Sequence, residues 1–183
     1  AEGKDGITSD KGAPRTIEYF RASVRETIKT YPLLAGFGIT AGESMPVTIG
    51  GMSKEKWLWQ TYGQGIPDAL KDEPQRKFRL IHRFHMTGLS DIQQEFAELP
   101  CPLDLSFKYA IAHMYSMPRP PMIDPVLPLL SPKLRSWLTV RNDDIYSFRW
   151  ADLDYARAFI KAIPGPDKVA GFYMGTDGYL WGR

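Results

Sequence analysis

Cysteine and histidine are the scarcest reactive residues of the sequence, with one cysteine and three histidines among 183 residues. A single cysteine, Cys101, excludes an internal disulfide and is too little for a cysteine-based zinc site. It precedes an apolar run, which predicts a buried, inert thiol. His82 and His85 lie three residues apart on a predicted strand and point to opposite faces, so they do not form a chelating pair. We therefore predict no bound metal and no cofactor.

Excess charge and long apolar runs are also missing. The net charge of +2, from 23 basic and 21 acidic residues, does not give the cationic field of a nucleic-acid-binding protein. The apolar runs are too short to cross a bilayer, and the first residues lack the charged-then-apolar order of a signal peptide. We expect neither a nucleic acid nor a membrane as partner.

Helical and strand-like patterns alternate along the chain. Ile17, Phe20, Val24 and Ile28 recur at helical spacing and predict a helix from Pro14 to Thr30. Three further helices are predicted at Ser53–Leu70, Ser90–Leu99 and Asp152–Ile163. Five buried strands are predicted at Leu33–Thr40, Phe78–His85, Leu103–His113, Trp137–Arg141 and Val169–Met174.

This alternation is typical of parallel strands with helices packed outside them, an α/β architecture. We predict one β/α domain over residues 1–183, folded as a (β/α) barrel of the TIM type. A complete barrel has eight strands in about 250 residues. Five strands therefore indicate a partial barrel, a fragment of a larger catalytic barrel whose remaining strands lie outside this sequence. The alternative is a complete five-stranded doubly wound sheet.

Carboxylates follow two of the predicted strands, where the working face of a barrel is built. Glu43 comes directly after a glycine at the end of the first strand, so its carboxyl group can project over the barrel mouth. Asp143 and Asp144 follow the fourth strand, and at most one of these neighbours faces the centre. Two facing carboxyl groups are the minimum equipment for cleaving a glycosidic bond. The alternative is that each one caps a loop or faces solvent.

Basic and aromatic residues follow the same strand ends. Arginine can hold a sugar carboxylate with two hydrogen bonds, and aromatic rings can stack on a sugar ring. The alternative is that they balance the acids and pack in loops. The predicted substrate-binding residues are His82, Arg83, His85, Lys108, Asn142, Arg149, Trp150, Tyr173, Asp177 and Trp181.

Five stretches of the sequence carry a family resemblance: LLAGFGITAGESM, FRLIHRFHMTG, LSFKYAIAHMYS, LTVRNDDIYSFRWAD and GFYMGTDGYLWGR. Together they resemble barrel-type bacterial glycoside hydrolases of the α-glucuronidase-like kind, over most of the chain. The resemblance implies a barrel, catalysis by carboxyl groups, uronate-bearing glycans as substrates and a periplasmic or extracellular location. Such barrels are much longer than this chain, so other strands would complete the pocket.

The resulting prediction is a glycoside hydrolase acting on an acidic, uronate-bearing polysaccharide or oligosaccharide. Glu43 would protonate the leaving group, and Asp144 or Asp143 would act as base or nucleophile. Two alternatives remain open. One is a non-catalytic carbohydrate-binding or scaffold protein on a degenerate barrel, and the other is a uronate lyase in which His85 or Tyr173 abstracts a proton.

Overall fold

The computed structural model describes residues 3–42, 44–84, 86–107, 118–119, 121–140 and 152–174. The fold is mixed α/β, with a five-stranded parallel sheet in the order β1-β4-β5-β6-β7 and a two-stranded antiparallel sheet, β2-β3. Contacts divide the chain into two compact units, Ala1–Leu103 and Asp104–Arg183. Across the described residues, no helix is long and apolar enough to span a membrane.

The first unit contains most of the helices. Its elements are α1 (Pro14–Thr30), β1 (Gly36–Thr40), β2 (Thr48–Ile49), β3 (Met52–Ser53), α2 (Lys54–Leu58), a π-helical turn (Trp59–Gly63), α3 (Gln64–Leu70), β4 (Arg79–Phe84) and α4 (Leu89–Glu95). β1 and β4 pair in parallel, with Gly36 opposite Arg79 and Thr40 opposite Arg83.

Within its described residues, the second unit contains three parallel strands and one α-helix. β5 (Leu103–Phe107) starts at the boundary residue and is followed by 3-10 turns at Pro121–Ile123 and Leu127–Leu129, β6 (Ser136–Val140), α5 (Leu153–Ala162) and β7 (Val169–Met174). β5 pairs with β6, and β6 pairs with β7, in parallel. Asp152 caps α5, since its carboxylate accepts hydrogen bonds from the backbone N–H groups of Asp154 and Tyr155.

In each unit, the helices contact one face of the strands. Leu80 and His82 alternate along β4 and are fully buried, and His82 contacts Glu55 of α2 and Phe96, directly after α4. In the second unit, Leu138 of β6 and Phe159 of α5 line one small crevice. A doubly wound sheet carries helices on both faces, whereas the helices among the described residues of each unit lie on one face. Closure into a TIM barrel, and the single domain, stay predictions.

The structure changes some element bounds. β1 begins at Gly36 rather than Leu33, whose side chain is 96% exposed. The helical run from Lys54 to Leu70 does form, and its glycines serve packing. A Cβ atom at Gly65 would lie 2.7 Å from the Arg21 carbonyl oxygen, so a glycine lets α1 approach α3 closely. The short hairpin of β2 and β3 was not predicted.

Candidate functional site

Three of the predicted site residues fall within the described part of the chain: His82, Arg83 and Tyr173. The others lie outside the described residues, and their roles stay predictions. They are the catalytic candidates Glu43, Asp143 and Asp144 and the substrate-binding candidates His85, Lys108, Asn142, Arg149, Trp150, Asp177 and Trp181.

The chain turns sharply after β1, as the sequence predicts for the residue before Glu43. Gly42 has φ of +61°, in the left-handed region that glycine adopts without a Cβ penalty. Its N–H donates to the Thr40 hydroxyl over 3.3 Å, and its carbonyl accepts from the Met45 N–H over 3.4 Å. The turn that precedes the predicted acid is therefore part of the fold.

His82 lies in a buried ion-pair geometry at the end of β4. Its Nε2 is 2.7 Å from Oε2 of Glu55, and the two side chains are 0% and 3% exposed. The ring of Phe96 packs edge-on against the imidazole, with ring centroids 5.5 Å apart. His82 has no exposed surface for a sugar, so this burial disfavours direct substrate contact, and a binding role for His82 stays a prediction.

Glu55 also holds the loop that follows β4. Its second oxygen, Oε1, accepts a hydrogen bond from the Thr87 hydroxyl over 2.5 Å. The neighbouring Lys54 donates from Nζ to the Met86 carbonyl oxygen over 3.0 Å. Met86 adopts φ of +55°, which is uncommon for a residue other than glycine. Two successive residues of α2 therefore fasten a loop with a strained backbone.

Arg83 comes next in β4 and projects to the other face, because side chains alternate along a strand. It is half-buried and lies opposite Thr40 in the β1–β4 register. The face that bears Arg83 is the one that the helices of this unit leave uncovered within the described residues. Arg83 therefore lies on that uncovered face, and its substrate-binding role stays a prediction.

A second polar group occurs on β5, β6 and β7, and we call it the polar face: Asp104, Ser106, Trp137 and Tyr173. Strand alternation places these side chains opposite Leu138, which faces α5. The Tyr173 hydroxyl lies 3.0 Å from the Ser106 hydroxyl oxygen, and Tyr173 is 43% exposed. Tyr173 can therefore offer both a ring and a hydroxyl group to a ligand.

Asp104 is the buried member of the polar face. Its Oδ2 accepts a hydrogen bond from the indole N–H of Trp137 over 3.0 Å, and Arg135 Nε lies 3.6 Å from its Oδ1. The Trp137 ring fills the space beside Gly171, where an added Cβ would lie 2.7 Å from the ring. These contacts fix the Trp137 ring between β5 and β7.

Sequence reasoning missed Glu55 and three residues of the polar face, Asp104, Ser106 and Trp137, whereas it named Tyr173. For Asp104 and Ser106 a signal existed, because LDLSF alternates apolar and polar residues in a strand that must bury both faces. For Glu55 none existed, since an acid between Lys54 and Lys56 is typical of a solvent-facing helix surface. Only the packing of α2 on β4 buries it.

Cys101, predicted to be a buried and inert thiol, is only partly buried. Burial raises the pKa of Cys101 to about 11, so the reactive thiolate is scarce at neutral pH. Within the described residues, no group of three metal-ligating side chains occurs.

Among known proteins, we find a likeness only to solved structures. No protein-family model matches the chain, and no curated protein matches it. Among solved structures, the fold is similar to that of a GH138 enzyme described as targeting pectin rhamnogalacturonan II, with a TM-score of 0.72 and 22% identity. The likeness covers 92% of this chain and 20% of that chain, so this chain spans about a fifth of the solved chain's length. At this identity the likeness establishes the fold alone.

Proposed function

We propose that these 183 residues form part of the catalytic domain of a glycoside hydrolase that acts on an acidic, uronate-bearing polysaccharide. The observation that carries the proposal is the fold likeness to the GH138 enzyme, which extends over 92% of the chain. Pectin, the target stated for that enzyme, is accordingly the first substrate to test.

The positions of polar residues support the same proposal. Arg83 lies at the end of β4 on the face away from the helices, where its guanidinium group can grip a sugar carboxylate. Tyr173, near the end of β7, exposes a ring suited to stacking on a sugar.

The proposed chemistry uses the carboxyl groups predicted after β1 and β6. Glu43, which follows the Gly42 turn, would donate a proton to the leaving oxygen. Asp144 or Asp143 would act as base for water or as nucleophile. Because one carboxyl group must be protonated and the other ionised, the reaction rate would rise and then fall with pH.

The test is product release from rhamnogalacturonan II and from uronate-bearing oligosaccharides, measured as reducing ends and by mass spectrometry. Glu43→Gln and Asp144→Asn each remove one carboxylate at nearly constant volume, and each should lower turnover by at least about a hundredfold. Glu26→Gln, on the exposed side of α1, is the matched control and should leave turnover unchanged.

Two outcomes would contradict the proposal. Unchanged turnover in Glu43→Gln would remove Glu43 from the mechanism. Saccharide affinity without any product would instead favour the non-catalytic carbohydrate-binding alternative, and an unsaturated product absorbing in the ultraviolet would favour the lyase.

A further inference from the structure

The buried cluster around Glu55 joins three separate segments of the first unit. Glu55 lies in the first turn of α2, His82 at the end of β4, and Thr87 in the loop before α4. Both oxygens of the carboxyl group are used, one by the His82 imidazole and the other by the Thr87 hydroxyl. Glu55 is therefore a buried carboxyl group with a partner for each oxygen, and not a solvent-facing residue of the helix surface.

The imidazole continues the chain of contacts toward Arg83. Its Nδ1 lies 3.1 Å from the Arg83 carbonyl oxygen, which can only accept a hydrogen bond, so Nδ1 is the donor. The 2.7 Å contact between Nε2 and Glu55 Oε2 needs one further proton, on either atom. The orientation of the Arg83 peptide group is thereby connected through His82 to a carboxylate on α2.

We propose that Glu55 is a positioning residue, which through His82 and Thr87 sets the backbone at the end of β4 and in the following loop so that Arg83 can bind a sugar carboxylate. The effect on sugar binding rests on the proposed function, whereas the effect on the backbone does not. Glu55 itself would not touch the substrate, because α2 lies on the opposite face of β4 from Arg83.

The sharpest variant is Thr87→Val, which removes one hydroxyl group at constant shape and leaves the Glu55–His82 contact in place. Hydrogen exchange of the Ile92 amide, which donates to the loop's Gly88 carbonyl oxygen over 3.2 Å, should become at least about tenfold faster, while exchange in β1 and α1 is unchanged. Thr87→Ser keeps a hydroxyl group and should restore the slow exchange.

Glu55→Gln supplies the second comparison. A glutamine can accept from Thr87 through its carbonyl oxygen and donate to a neutral Nε2 through its amide, so it should retain most of the loop protection. Glu55→Ala keeps neither contact and should lose the loop protection. If glutamine retains the protection that alanine loses, Glu55 positions the loop, and the effect of alanine is not a general loss of the fold.

Calorimetry of galacturonate oligosaccharide binding tests whether the loop backbone affects sugar binding through Arg83. Thr87→Val should weaken binding by about tenfold at temperatures well below its melting temperature, which the loss of a hydrogen bond to the buried Glu55 lowers. Unaltered loop exchange in Thr87→Val would overturn the positioning role. Faster exchange with unaltered affinity would overturn its link to Arg83. If the wild type binds no uronate, the proposed function fails, and loop exchange alone decides the positioning role.

Discussion

The end of β4 and the polar face of β5 to β7 place strand residues in opposite environments. His82 is turned toward the helices and is completely buried against Glu55, whereas Tyr173 is turned away from α5 and remains 43% exposed. Both were predicted to bind substrate because both lie near the end of a strand. The difference shows that two residues near strand ends can lie in opposite environments, and the substrate-binding role of each stays a prediction.

Arg83 shows the same contrast with His82 within a single strand. Directly after His82 in the same strand, it points to the face that the helices leave uncovered within the described chain, as Tyr173 does in its own unit. Within each unit, the side chains suited to a ligand are therefore those that alternate with the residues packed under helices. The candidates for direct contact become Arg83 and Tyr173, with His82 in a supporting role.

The largest effect is expected at the buried pair. Glu55→Ala leaves His82 buried without its carboxylate partner and should lower the free energy of unfolding by about 3–5 kcal/mol in chemical denaturation. Glu26→Ala, on the exposed surface of α1, should change it by less than about 0.5 kcal/mol. Equal effects at the two positions would mean that the His82 side of β4 is not a packed interior.

A smaller effect is expected on the polar face. Gly171→Ala places a methyl group 2.7 Å from the Trp137 ring. This crowding should lower the free energy of unfolding by roughly 1–3 kcal/mol, measured by thermal unfolding. Gly38→Ala in β1 is the control, because the nearest atom to its added methyl group, the Ile81 carbonyl oxygen, is 4.0 Å away. A neutral Gly171→Ala would show that Trp137 does not fill the space between β5 and β7.

The ion pair between α1 and α3 is partly exposed to water, unlike the buried Glu55–His82 pair, with side chains 33% exposed at Arg21 and 14% at Asp68. Arg21 hydrogen-bonds to Asp68, over 2.9 Å between Nη2 and Oδ1, and this contact holds the pKa of Asp68 below its ordinary value. The pair's stabilisation is therefore present above about pH 4, the unfolded value, and is lost as the pH falls through the folded pKa. Asp68→Asn should remove roughly 1 kcal/mol at pH 7.

The measurement for Asp68 is the free energy of unfolding from pH 7 down to pH 2. In the wild type it should fall more steeply at the acid end than in Asp68→Asn, and the two curves should converge there. Parallel curves would contradict an ionised Asp68 in contact with Arg21.

The prediction for Cys101 concerns the reactivity of its thiol and not the stability of the fold. With the pKa of its thiol raised to about 11 by burial, alkylation by iodoacetamide at pH 8 should be at least about a hundredfold slower than for the unfolded chain. The rate should rise with pH toward that value. Rapid alkylation of the folded protein would show an accessible thiolate at Cys101.

Local patterns predicted the regular elements well, for identifiable reasons. α1 and α5 carry apolar residues at helical spacing, and α5 begins directly after Asp152, its cap. The β2–β3 hairpin was missed although Gly50 and Gly51, both with positive φ, form the two-residue turn that its strands need. Strands of two residues have no periodicity from which to be recognised.

The site was less predictable, because its residues depend on packing between elements. A histidine in a strand can face either side, and the sequence alone does not say whether His82 or Arg83 meets the helices. The burial of Glu55 depends on where α2 lies on β4, which no spacing within SKEKW specifies. The predicted carboxylates lie outside the described residues and stay predictions.

The most direct test of the account is a nuclear magnetic resonance titration with a galacturonate oligosaccharide, following side-chain signals of Arg83, Tyr173 and His82. Direct sugar contact by Arg83 and Tyr173, but not by His82, predicts large shifts for the Arg83 guanidinium and the Tyr173 ring and small ones for the buried His82 imidazole. Shifts at His82 as large as those at Tyr173, or no shift at Arg83 under saturating sugar, would contradict it.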